Sequence, residues 1–313
     1  MAPSSPHRRT VLHGLAGIAV AASTGAHAAV KRPAFVALGD WGREGGEHQS
    51  HVAAAMALAA AEIGSRCVLS VGDNFYPAGV QSVTDPHWKV SFEDVYAAAS
   101  LQTPWYVALG NHDYRGHPGA QLAYSRINAR WRMPGRYYLV PGAEIGAPDL
   151  DIFVIDTTPL LGGHHEDVAR LIRGRVWVPD GDPQVAWLGT ALEQSKARWK
   201  VVVGHHPIHS GGHHGGEAAL AASIEPLMQA HGVQVYICGH DHVLQHVQVG
   251  GIDHICSGAG SSAGQVVDIP GTRFRHDEPG FAMFTVGADS LDLEFRDFNG
   301  KSLYQAAIPS VRG

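Results

Sequence analysis

The sequence reads as an α/β fold, and three observations predict it. Short β-branched and apolar runs alternate with Ala-rich stretches of helical length as far as residue 240. Beyond that point the helical stretches stop and strand-like runs follow one another, so the sheet is expected to be mixed rather than purely parallel. No Pro-, Ser- and Gly-rich linker and no internal repeat divides the 313 residues, which gives one domain over 29–313.

Taken in order, residues 35–38 and 68–71 are apolar runs of strand length separated by the Ala-rich helical stretch Gln49–Ile63. A second helix is expected near 86–98, then strands at 105–109 and 152–155. Residues 184–196 carry a helical pattern ahead of the Val-only run 201–203, and a helix near 216–231 precedes the strand Val235–Cys238. The closing strands are Leu244–Val249, 252–256, 281–286, 291–295 and 303–308. The longest stretches without a period, 114–150 and 157–183, have the size of functional lids or rims.

Residues 1–28 carry Arg8-Arg9, a mostly apolar run over 11–22 and then Ala26-His27-Ala28, with no acid anywhere before that small-x-small pattern. This is the layout of a cleavable export signal. Paired arginines followed by Val11-Leu12 mark the twin-arginine type, a bacterial route for proteins already folded. The apolar run is too short, and too rich in Ala and Gly, to span about 30 Å of hydrocarbon. No later run approaches about 18 apolar residues, so the exported product is expected to be periplasmic or secreted, with no stable membrane anchor.

Histidine is the unusual component, with 21 residues against 5 lysines among 23 basic ones. Imidazole in that excess suits metal binding, or proton transfer near neutral pH. The net charge of −6, which falls to −8 once loss of residues 1–28 removes two arginines and no acid, argues against a nucleic-acid binder that works by neutralising phosphates. Cys67, Cys238 and Cys256 fit neither a disulfide framework nor a CxxC zinc site.

Five of the six strand runs of the α/β part, all but 152–155, end in glycine and a polar cluster. Residues 35–38 lead into GDWG (39–42), 68–71 into GDNFY (72–76), 105–109 into GNHD (110–113), 201–203 into GHHP (204–207) and Val235–Cys238 into GHDH (239–242). Ligands of open α/β sheets bind outside the carboxyl ends of the strands, so clusters spread over about 200 residues are expected to converge. Glycine lets each strand turn sharply and present its neighbour. The polar set is Asp40, Asp73, Tyr76, Asn111, His205, His240 and His242. It mixes hard oxygen donors with imidazoles and holds no thiolate, which suits iron, manganese or zinc. The set is too large for one tetrahedral ion and matches two ions about 3.5–4 Å apart that share a carboxylate. Singly each motif is weak, because a lone His after a strand is usually a loop or core residue; the ordered set of five carries the inference.

In that order the motifs resemble the purple acid phosphatases of the small tartrate-resistant type, within the metallophosphoesterase superfamily. The resemblance extends through FEDVY (92–96), PWYV (104–107), AQLAYSRINARW (120–131), SGAG (257–260) and GKSLY (300–304), and so covers essentially the whole chain after residue 28. It implies a four-layer αββα sandwich with mixed sheets, the calcineurin-like fold, with a dinuclear centre at its rim. Carried over by motif, it implies an Fe(III) site of Asp40, Tyr76 and His242, a site for a divalent ion (Fe(II), Zn or Mn) of Asn111, His205 and His240, and Asp73 as the bridge. Most of the wider superfamily has a histidine where this sequence has Gly42, and Tyr76 substitutes. A phenol with an ordinary pKa near 10 ionises readily only beside a strongly polarising cation, so Tyr76 points to Fe(III).

The resemblance implies hydrolysis of small phosphate monoesters by a metal-bound hydroxide. A tri- and a divalent ion set against Asp40, Asp73, ionised Tyr76 and one hydroxide leave about one positive charge, which favours a phosphate dianion, and Fe(III) keeps hydroxide available at acidic pH. His112, beside Asn111, is implied to contact the phosphate, and His214 to act as general acid or to orient substrate. Five histidines fall within ten positions there: His205, His206, His209, His213 and His214. His209 and His213 are weaker candidates for the same role, and His206 reads as a loop residue. A phosphodiesterase using the same centre, or a redox-active iron protein without a hydrolytic role, are the alternatives. No ligand position is missing, which argues against an inactive binding homologue. Two departures stand out. The disulfide of close relatives would fall at Leu161 and Ala219, and the loop over 157–183 carries His164, His165 and Glu166 in place of the usual residues. The Gly-rich run 257–265 lacks the Lys and helix of a P-loop and reads as a turn. Oligomeric state is left open.

Overall fold

In the computed structural model, which describes residues 1–2, 31–164 and 183–310, the unit Lys31–Gly313 is built on two seven-stranded sheets. All but the first two residues of the expected export segment lie outside the described residues, as do His165 and Glu166. The chain runs through β1 (Ala34–Leu38), α1 (Gln49–Ile63), β2 (Cys67–Val71), β3 (Trp105–Ala108), α2 (Pro118–Tyr124), β4 (Trp131–Arg132), β5 (Tyr138–Pro141) and β6 (Leu150–Val154). It continues through α3 (Pro183–Gln194), β7 (Trp199–Val203), α4 (Ala218–Ser223), α5 (Glu225–Ala230), β8 (Val235–Cys238), β9 (Leu244–Val249) and β10 (Ile252–Ser257). It closes with β11 (Thr272–His276), β12 (Gly280–Val286), β13 (Ser290–Asp297) and β14 (Ser302–Pro309).

The first sheet has the order β14-β13-β12-β1-β2-β3-β4, with β1 to β4 parallel and β12 to β14 an antiparallel meander joined to β1 through β12, which runs antiparallel to it. The second has the order β11-β9-β10-β8-β7-β6-β5, parallel from β6 to β10 and antiparallel at both ends. Alternation along β7 shows how the layers form. Val201 and Val203 point into the core between the sheets, whereas Val202 joins a second core with Leu188, Leu192, Leu220 and Met228 of the helices. On the opposite side α1 lays Val52, Met56 and Ala59 on the first sheet, and the result is helix, sheet, sheet, helix. Each fully buried Val or Phe contributes about 1.5–3 kcal/mol, so the two sheets need no further fastening.

Several elements differ from the expectation. The helix expected near 86–98 is only a π-helical turn, Trp88–Glu93. Trp88 and Phe92 are drawn into an aromatic knot with Trp41, Phe75, Trp105 and Trp131, and the Ser91 carbonyl accepts a hydrogen bond from the Gln49 side chain at 2.7 Å. That knot also seats the loop after β1, since the Trp41 indole donates to Ser70 of β2 at 2.8 Å. The expected helix near 216–231 breaks into α4 and α5, because Pro226 has no N–H to give the Ala222 carbonyl. The stretch 114–150, expected to be irregular, holds α2, β4 and β5, each too short to show a period. β11 was not expected, as its alternation is of polar residues around a half-buried Phe274. Leu161 and Leu220 share the second core, so apolar packing joins the segments that a disulfide would link, and all three cysteines are free and buried. Among the described residues no helix is long and apolar enough to cross a membrane.

Candidate metal centre

β1, β2 and β3 of the first sheet and β7 and β8 of the second deliver their following residues to one place. Asp40 N–H donates to the Gly72 carbonyl at 3.0 Å, and His205 Nδ1 faces the Val71 carbonyl at 2.9 Å, joining the two sheets. The sharp turns are made by the polar residues themselves. Asp40, Asp73 and His240 have φ of 60°, 49° and 70°, a left-handed conformation that costs a side-chain-bearing residue about 1–3 kcal/mol. Of the preceding glycines only Gly72, at φ 96°, shares in the turn; Gly39, Gly110, Gly204 and Gly239 are needed chiefly for space, which corrects the expectation that glycine makes every turn. A Cβ on Gly110 would lie 2.2 Å from Asp73 Oδ1, and one on Gly239 would lie 2.4 Å from Asp40 Oδ2.

All seven expected ligands come together in two overlapping groups. In the first, the Tyr76 hydroxyl lies 2.8 Å from Asp40 Oδ1, 2.9 Å from Asp73 Oδ2 and 3.1 Å from His242 Nε2. In the second, His205 Nε2 lies 3.4 Å from Asp73 Oδ1 and 3.2 Å from Asn111 Oδ1, which is itself 3.0 Å from His240 Nδ1. Asp73 thus offers one oxygen to each group. Ser262 Oγ holds His242 Nδ1 at 3.0 Å, and the Val71 carbonyl holds His205 Nδ1, so both rings aim Nε2 inward.

With the His205 Nδ1–H given to the Val71 carbonyl, Nε2 turns its lone pair on two further acceptors, Asp73 Oδ1 and Asn111 Oδ1, a contact that a cation or a proton must bridge. Burial alone would raise the Asp73 carboxyl, but His205, His112 and His240 outweigh it and hold it well below the usual carboxylate range. Burial alone would likewise lower His205, yet the Asp73 carboxylate pushes it up to about 10, the mark of a negative site that favours a positive charge beside it. His240 is held well below its ordinary value by burial and by His206, His205 and His214, which leaves its lone pair free. Burial, and then Asp40 and Asp73, push the Tyr76 phenol well above its ordinary value. The residues therefore fit a pair of ions: seven O and N donors, a carboxylate with its oxygens divided, and a phenol that the chain alone cannot ionise.

Of the two expected second-layer histidines, His112 donates its N–H to Asp73 Oδ1 at 2.7 Å, and its ring lies 4.4 Å from that of Tyr76. His214 is exposed, its N–H bound to Asp241 Oδ1 at 2.8 Å and its ring 4.3 Å from that of His240. His213 is exposed beside it, whereas His209 faces Glu225 instead. His206 is no simple loop residue. It is buried, with Nδ1 2.8 Å from Thr157 Oγ1 and its ring 4.4 Å from that of His240, because the strand's alternation continues past β7 and turns it inward. Asp241 orders its loop by gathering Ser210 and His214 on its carboxylate, and sequence reasoning gave no role to Asp113, which accepts the Gly110 and Asn74 N–H groups. Burial and the charge of Asp73 push Asp113 up to about 7. The signal for both was an aspartate inside a ligand motif. Arg43, with its guanidinium 3.8 Å over the Tyr76 ring, had none.

Residues 33–244 match the family model of the calcineurin-like phosphoesterases. Purple acid phosphatase 3 of Arabidopsis thaliana is 37% identical over 286 residues, which cover 86% of this chain and 76% of that protein. Tartrate-resistant acid phosphatase type 5 of Oryctolagus cuniculus is 34% identical over 297 residues, covering 88% and 90%. A solved structure of GAP50, described as the anchor in the inner membrane complex of Plasmodium, matches over 90% of each chain with a TM-score of 0.76 at 23% identity, a likeness of fold. With that identity over nearly its whole length, and with the family's ordered motifs gathered at one sheet edge, the chain belongs to the purple acid phosphatases, hydrolases with a dinuclear metal centre.

Proposed function

We propose that the chain hydrolyses small phosphate monoesters at acidic pH with Fe(III) and a divalent ion, Fe(II), Zn(II) or Mn(II). Asp40, Tyr76 and His242 would hold the first, Asn111, His205 and His240 the second, and Asp73 both. One observation carries this reading: the buried Tyr76 hydroxyl between two carboxylates and an imidazole. Its surroundings hold the phenol well above its ordinary value, and a bound cation of trivalent strength would supply the positive charge that lets it ionise. When bound, the ion pair supplies electrophilic polarisation of the ester and an activated water that persists in acid.

The chain's own residues do the positioning. The His112 N–H and the Tyr76 hydroxyl grip opposite oxygens of Asp73, and the His240 N–H grips Asp40 Oδ2 at 3.0 Å. His112, with a half-buried imidazole, is placed to touch a phosphate oxygen. The exposed His214 is placed to give a proton to a departing alkoxide and to regain it from solvent. Residues 1–28, with Arg8-Arg9 and Ala26-His27-Ala28, support export of a bacterial twin-arginine type to the periplasm or beyond, leaving 29–313 as a single domain.

The test is a visible spectrum of the purified, exported form together with phosphomonoesterase and phosphodiesterase assays between about pH 4 and 8. A broad charge-transfer band that disappears in Tyr76→Phe, with faster turnover of the monoester in acid, is the expected result. A colourless, zinc-loaded protein active only in alkali would overturn it, and faster turnover of the diester would replace the substrate class.

A further inference from the structure

His254 is a buried imidazole that the dinuclear centre does not use. It shares the face of β10 with Ile252 and Cys256, turned toward the helices; it is 1% exposed, and neither ring nitrogen has a hydrogen-bond partner. Such groups are uncommon, because water given up on burial is normally replaced. Two more side chains of ligand type converge on it. Glu225, the first residue of α5, places Oε1 3.8 Å from His254 Nε2, and His209, in the loop after β7, places Nε2 3.0 Å from the same oxygen. The rings of His209 and His254 stand at 90° with centroids 4.8 Å apart.

One donor atom from each residue lies within 4.8 Å of the other two. Ligands about 2.1 Å from a tetrahedral ion lie about 3.4 Å from one another, and the observed 3.0 and 3.8 Å bracket that separation. We propose that His209, Glu225 and His254 form a third cation site, separate from the dinuclear centre, for a borderline divalent ion of the Zn(II) class. Two imidazoles and one carboxylate match that ion, whereas Mg(II) and Ca(II) favour oxygen throughout. Burial, with His209 and His246 nearby, pushes His254 down to about 3, so its lone pair is available at any working pH. A hydrogen bond between His209 and Glu225 accounts for two of the residues and leaves His254 without a partner; an ion accounts for all three. His209 is 26% exposed on its side chain, which leaves a path for the ion and room for a water as fourth ligand.

The site has a structural consequence. The loop after β7 carries His205 near its start and His214 near its end, and His209 lies between them. An ion bound there ties that loop to β10 and α5, and so steadies the exposed His214.

The experiment is to equilibrate the full exported protein with zinc sulfate, remove free metal by gel filtration and count bound metal in the wild type, His209→Ala and His254→Gln. Each variant should hold about one equivalent less than the wild type. Because the result is a difference, it does not depend on how many ions the dinuclear centre retains. Added zinc should also raise the thermal midpoint of the wild type more than that of His209→Ala. Equal metal content in the wild type and His209→Ala overturns the proposal. His209 lies on a partly exposed loop, so this variant decides the matter even where His254→Gln fails to fold.

Discussion

Replacing Gly110 with alanine tests whether the centre is held by close packing or only by its ligands. The added Cβ would lie 2.2 Å from Asp73 Oδ1 and 2.3 Å from the Asp73 backbone nitrogen, where ordinary contact begins at 3.4 Å. Side chain and backbone must therefore separate by roughly 1.2 Å in a region packed like a crystal. Asp73 has little freedom to yield, since its backbone is in the left-handed region and its two oxygens are held by the His112 N–H and the Tyr76 hydroxyl. Overpacking of this kind costs about 1–3 kcal/mol, a fall of several degrees in thermal midpoint for a chain of this size. The effect on activity should be larger, because a misplacement of about 1 Å lowers turnover on the order of 10²-fold. The assay compares kcat/KM, bound metal and thermal midpoint with those of Gly264→Ala, where nothing lies within 4 Å of the added carbon. Retention of both ions and of kcat/KM within about 3-fold of the control would refute the reasoning, since the ligands would then place Asp73 unaided.

Further outcomes are expected. In protein stripped of metal by a chelator, Asp73 and His205 form a buried pair, and each has its own pH window. The depressed Asp73 adds stability above its ordinary value near pH 4 that is lost as pH falls below it, whereas His205, raised to about 10, adds stability that is full below about pH 6.5 and lost between there and about pH 10. The thermal midpoint of the stripped protein should therefore fall across that alkaline window and that of the loaded protein should not; a flat profile for the stripped form contradicts this. Arg43→Met removes a cation 3.8 Å from the Tyr76 ring, a contact of about 0.5–2 kcal/mol that favours the phenolate, and the charge-transfer band should move to longer wavelength, with an unchanged spectrum as the opposing result. His214→Ala should lower turnover by about 10²-fold for esters with poor leaving groups and less for good ones. A loss independent of leaving-group pKa removes the proton-donor role.

The motifs of the centre were legible because strand and ligand are adjacent in the chain: an apolar run, a glycine and a polar residue state both the direction of approach and the donor. Tyr76 was legible for a similar reason, three positions after Asp73, where its phenol returns to the same carboxylate. Legibility failed wherever packing between distant segments decides the outcome. Nothing in the apolar runs assigns β1, β2 and β3 to one sheet and β6, β7 and β8 to the other, because period and burial look alike in both, and the four layers were reached only by resemblance. The π-helical turn depends on Gln49 meeting Ser91 across 42 residues, and Arg43 meets Tyr76 through a loop whose course no period reports. Histidine shows the same division. Its excess announced imidazole chemistry but not where, and His205, His240 and His242 reach the centre because they follow the ends of β7 and β8. His209 and His254 carry no motif, and a buried imidazole at mid-strand reads as core until α5 brings a carboxylate against it. The proposed third site was therefore accessible only in the folded chain, through the unmet hydrogen-bonding capacity of one buried ring.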